Sequence, residues 1–97
     1  GKFPPVDPAQ SFNRVFKHCI DINKDIVSKS THVTVALKTA TGEEIFRRDF
    51  TSDEVAANTH GDVTNFWIES SITDQPAMWL VWPCEDGDWK EQVSGTF

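Results

Sequence analysis

No run of apolar residues in this sequence approaches the roughly 20 that cross a bilayer, and tyrosine is absent. The first absence removes a membrane-spanning helix from the reading. Basic charge is scarce as well: nine Lys and Arg stand against fifteen Asp and Glu, for a net charge of −6 and a pI near 4.8. That balance points away from phosphate backbones and anionic membranes as main partners, so neither nucleic acid nor membrane binding is expected. There is no Gly-rich phosphate loop, no pair of Cys-x-x-Cys knuckles and no Gly-x-Ser-x-Gly nucleophile turn. Their absence argues against P-loop, zinc-ribbon and serine-hydrolase chemistry. No signal-peptide pattern opens the chain, and Gly-Lys-Phe-Pro-Pro reads as the start of a mature or trimmed one.

What is present is enough for one folded unit. The 97 residues are 38% hydrophobic, with seven Phe and four Trp, which suits a single small domain rather than a disordered chain. A domain of this length buries only about 60–70% of the surface that its unfolded chain exposes, so a staple is useful. The two cysteines, Cys19 and Cys84, have no neighbours at metal-ligand spacing. They are either a long-range disulfide or two unrelated buried thiols, and the disulfide is favoured because it would stabilise so small a core by roughly 4 kcal/mol.

Along the chain, Pro4, Pro5 and Pro8 make 1–11 an extended arm, with one domain over 12–97. A strand is predicted over 13–22, with Phe16, His18, Ile20 and Ile22 on one face and Val15, Lys17 and Cys19 on the other. Strict alternation marks a second strand over 33–38, and Thr41-Gly42 turns it into a third over 44–50. Thr51 and Glu54 have capping-box spacing and predict a short helical turn ending before Asn58. Further strands are expected over 63–68, 77–82 and 89–93. The fifth is apolar on both faces and should be buried from two sides, ending at Pro83-Cys84, and Asp86-Gly87 signals a type I′ hairpin after it. Six strands and one helical turn imply an all-β sandwich or barrel.

Few constellations carry chemistry. Asp21-x-Asn23-x-Asp25 begins like a calcium loop but has Ile26 where Gly is needed and His32 where Glu is needed. His18, His32 and His60 could supply acid–base groups to a small nuclease, yet nothing fixes their geometry and the acidic charge suits RNA poorly. The expectation is therefore no enzyme, no catalytic residue, no metal and no cofactor. Glu85, Asp86 and Asp88 beside Trp89 form an acidic hairpin able to meet a basic surface. Trp67, Trp79 and Trp82 fall inside predicted strands and are assigned mainly to packing, leaving Trp89 as the exposed anchor.

One cysteine in the first strand (Phe-Lys-His-Cys-Ile), one after the fifth (Trp-Pro-Cys) and the closing Gln-Val-Ser-Gly-Thr-Phe resemble the MAX effector family. These are the Magnaporthe avirulence and ToxB-like proteins of plant-pathogenic fungi. The resemblance implies a six-stranded antiparallel β-sandwich of two three-stranded sheets joined by Cys19–Cys84. It also implies a secreted virulence or avirulence protein that is translocated into host cells and acts without catalysis. Its partner would be a host protein such as a heavy-metal-associated domain, bound by strand addition at a sheet edge, and the chain itself would be a monomer. With the second and third strands taken as edges, the binding residues are Val33, Thr34, Val35 and Lys38 with Arg47 and Arg48. A second set is Glu85, Asp86, Asp88 and Trp89. The alternative is a secreted inhibitor or immunity protein that blocks an enzyme with this hairpin.

Overall fold

A computed structural model describes residues 16–70 and 76–97. The predicted arm over 1–11, and the start of the first predicted strand, lie outside the described residues. The elements run β1 (Phe16–Asn23), a single 3-10 turn (Lys24–Ile26), β2 (His32–Lys38), β3 (Glu44–Thr51), α1 (Ser52–Ala57), β4 (Thr59–His60), β5 (Val63–Ser70), β6 (Met78–Glu85), β7 (Asp88–Trp89) and β8 (Val93–Thr96). Every strand pairing among the described residues is antiparallel. One sheet has the order β1-β5-β4; the other runs β3-β2-β6, with β7 and β8 sharing the far edge of β6.

The sandwich forms because each sheet has one strongly apolar face. Ile20 and Ile22 of β1 and Phe66 and Ile68 of β5 meet Val33, Val35, Leu37, Phe50 and Val81 from the larger sheet. Phe50 and Phe66 stack edge to face at 4.9 Å between ring centroids, joining the two layers at their centre. Val27, after the 3-10 turn, and Val55 of α1 are buried in the same cluster. The expected alternation in β1 holds, since Ile20 and Ile22 are buried while Lys17 and Asp21 are exposed.

Three expectations are corrected. Among the described residues there are eight strands rather than six, in sheets of three and five rather than three and three. Part of the difference is the two-residue bridge of β4; the rest comes from Pro83. The Pro83 carbonyl accepts the Lys90 N–H at 2.8 Å. Because the N and O of a strand residue point the same way, the missing proline N–H falls on that same edge. There the partner strand is interrupted between β7 and β8, so β6 passes through Pro83 and Cys84 instead of ending at them.

The second correction is the disulfide. Cys19 and Cys84 are both free thiols. Cys19 belongs to the outer face of β1, where its Sγ donates to Asp21 Oδ1 at 3.2 Å. Cys84 lies in the other sheet, paired across its strand with His32 and Trp89, and it points to that sheet's outer face. With two sheets about 10 Å apart and both side chains turned outward, their Cα atoms cannot reach the roughly 4.4–6.8 Å that a disulfide needs. The third correction concerns Trp67, which is 55% exposed rather than packed. It follows Phe66 in β5, and strand alternation sends it to the other face.

Local predictions for the turns and the helix cap hold. Thr51 Oγ1 accepts from the Glu54 N–H at 3.2 Å, and the Glu54 carboxylate accepts from the Thr51 N–H at 3.1 Å, completing the capping box of α1. Asp86 and Gly87 take φ of 50° and 81°, the left-handed pair that a type I′ turn requires.

Candidate functional site: the open edge and outer face of the larger sheet

Sheet order decides which backbone is available. β2 lies between β3 and β6, so it is not an edge, and Val33, Thr34, Val35 and Lys38 have neighbours on both sides. Val33 and Val35 are also fully buried core residues. The edge reading therefore fails for β2, because β6, the most apolar strand, pairs along its whole length. β3 is different: among the described residues its second edge is unpaired.

The side of each β3 group can be derived. The Ser52 N–H donates to the Thr31 carbonyl at 3.1 Å, and hydrogen-bonded positions recur every second residue in an antiparallel ladder. Phe50, Arg48 and Phe46, opposite Val33, Val35 and Leu37, therefore bond to β2. The N–H and C=O groups of Asp49 and Arg47 face the open edge.

The edge is charged but locally neutralised. Arg47 pairs with Glu44 at 2.7 Å, and Arg48 with Glu54 at 2.8 Å. The two arginines thus do not form the free positive strip that their sequence suggests. Arg48 lies over the Phe50 ring at 4.4 Å. The Glu44 carboxyl is held below the usual carboxylate range by its hydrogen bond from Arg47. Glu54 is held below it chiefly by the Thr51 backbone N–H.

Arg47 also crosses the sheet. Its guanidinium lies 5.2 Å from the Trp82 ring centroid, although Trp82 is two strands away on β6. To get there it spans β2, which helps explain why Thr34 and Ala36 are buried on what would otherwise be a solvent face. Thr34 Oγ1 donates to Asp49 Oδ1 at 2.5 Å. Beside these, His32 and Trp89 meet edge to face at 5.0 Å, although Cys84 stands between them in the sheet. The two rings close over the thiol, and Cys84 is fully buried. Thr34, Arg47, Trp82 and Trp89 line one shallow groove of about 190 Å³.

The structure thus brings Thr34 and Arg47 from the first predicted set together with Trp89 from the second. Lys38 lies at the far end of β2 opposite Met78. Asp86 is exposed at the turn, and Asp88 is paired with Lys90 at 2.7 Å. No family model, curated protein or solved structure matches the chain.

Trp82 is the functional candidate that the sequence assignment missed. A signal for it existed. A two-residue hairpin at Asp86-Gly87 sets Glu85 opposite Asp88 and Cys84 opposite Trp89, and alternation then puts Trp82 on the Trp89 face. His32 had no such signal, because its place depends on the long-range β2–β6 pairing. The histidines have separate surroundings: His18 lies 5.6 Å from the Phe97 ring, His32 faces Trp89, and His60 is exposed on β4. Burial, followed by the Asp21 hydrogen bond and charge, pushes the Cys19 thiol up to about 11, which keeps it protonated and a poor nucleophile at neutral pH. Among the described residues, no group of three or more His, Cys, Asp and Glu side chains is placed to hold a metal ion.

Proposed function

We propose that this chain is a binding module that acts without catalysis. In its most specific form it is a secreted fungal effector that captures a plant host protein by adding a partner strand to the open edge of β3. The observation that carries the reading is the eight-residue β3, paired on one side only among the described residues. Its Asp49 and Arg47 main-chain groups point outward, where a partner strand would supply complementary bonds and its side chains the selectivity.

The test separates main chain from side chain. Asp49→Pro removes one outward main-chain donor without breaking a main-chain bond to β2, whereas Asp49→Ala keeps that donor; both lose the Thr34–Asp49 side-chain bond, so only the donor distinguishes them. Saturable pull-down of a plant protein, or of a heavy-metal-associated domain, is expected to be lost in the first variant and kept in the second. Absence of any saturable partner for the folded wild-type protein sinks the reading.

A second reading is favoured by one observation: Trp89 is 52% exposed directly after the tight Asp86-Gly87 turn, as an enzyme-blocking plug would be. Inhibition lost in Asp86→Lys, with Asp49→Pro harmless, would select this inhibitor reading over strand capture.

A further inference from the structure

We propose that the groove between Trp82 and Trp89 is a saccharide site that takes a neutral pyranose ring of an oligosaccharide. Its lining combines two features that such a ring needs. The faces of a pyranose are rows of C–H groups, which pack on indole, and its rim carries hydroxyls that both donate and accept. The groove supplies two indoles, a guanidinium and a hydroxyl at Thr34. The Arg47 bonds to Glu44 use Nε and Nη2, which leaves the Nη1 protons without a partner among the described residues. Thr34 Oγ1 spends its proton on Asp49, so its lone pairs remain to accept from a sugar hydroxyl.

Other ligand classes fit less well. A cationic ligand would stack on Trp82, but the Arg47 guanidinium already lies against that ring and would repel it. An anionic ligand would find a single cation in the groove, the Arg47 guanidinium, already bound to Glu44, on a chain of net charge −6. A peptide threading the groove would look for main-chain partners on its floor, and those of Thr34 lie within the sheet ladders between β3 and β6. The volume of about 190 Å³ is below the roughly 300–1,000 Å³ of pockets that enclose drug-sized molecules, which suits one ring with its neighbours in solvent.

Trp emission and calorimetry of the full chain, titrated with β-1,4-linked hexamers of glucose, of N-acetylglucosamine and of mannose, test this inference. A proline-rich peptide is the competing probe. Saturable binding of at least one hexamer is expected, weakened about tenfold or more in Trp89→Ala, which removes one exposed stacking ring. Trp67→Ala, on the opposite sheet, should leave affinity unchanged. Trp82→Ala should match Trp89→Ala where circular dichroism shows it folded; where it does not fold, Trp89→Ala decides. Binding to none of the hexamers, affinity unchanged in Trp89→Ala, or the peptide alone occupying the groove overturns the inference. Ring binding here and strand capture at β3 fail independently, because Trp89→Ala leaves the β3 edge intact.

Discussion

Gly95 shows how much one side chain can depend on an absent one. It stands opposite Trp79 in the β6–β8 pairing, and a Cβ built on it would run into the Trp79 indole. Its φ is not in the left-handed region, so the need for glycine is one of space and not of backbone conformation. Gly95→Ala must displace the half-buried Trp79 from its place against the core. It is expected to cost about 1–3 kcal/mol, as overpacking does, with a lower denaturant midpoint at unchanged slope. At this scale the sequence was only partly legible. Ile20 and Ile22 of the first strand, and Val33, Val35 and Leu37 of the second, declare themselves as core through strand alternation. The four Trp do not, because an indole is apolar enough for a core and amphipathic enough for a surface. Trp67 and Trp82 were therefore misplaced until their faces were known.

Elements whose signals are local were legible almost completely. The capping box at Thr51 and Glu54, the left-handed pair at Asp86-Gly87 and the β2–β3 hairpin each involve residues close in the chain, so their chemistry is written in order. The cap also titrates. Glu54 is held below the usual carboxylate range in the folded protein, first by the Thr51 N–H and with help from Arg48. A depressed folded-state pKa means that the contribution is present above the unfolded value and lost as pH falls through the folded one. Amide exchange in α1 is thus expected to rise below the ordinary carboxylate range, before the sandwich unfolds. Thr51→Ala, which removes the cap oxygen at all pH values, should cost about 1 kcal/mol, whereas Glu54→Gln, which removes the titrating carboxyl, should flatten that pH dependence. The break in the ladder beside Pro83 was less legible. Proline alone reads as a strand end, and only the interrupted β7–β8 edge shows how the strand continues.

For the whole molecule, the two outer faces matter more than chain order. Cys19 and Cys84 lie on different sheets and turn away from each other, so no cross-link closes the sandwich. Mass analysis of the denatured protein is expected to find two alkylatable thiols without prior reduction, and reductant should leave Tm unchanged. In the native state both thiols should react slowly near neutral pH, Cys19 because its thiol is pushed up to about 11 and Cys84 because His32 and Trp89 cover it. A bridged form recovered from native protein would contradict this arrangement. The sequence by itself determined the all-β class, most strand positions, the hairpin turns, the helix cap and the acidic balance, because alternation, turn chemistry and charge are properties of near neighbours. Only the tertiary structure decided that β2 is interior and β3, among the described residues, an open edge, that Arg47 reaches Trp82 across β2, and that the two thiols face opposite sides. Each of these depends on which distant strands pair, and that choice is made by the collective burial of both sheets' apolar faces.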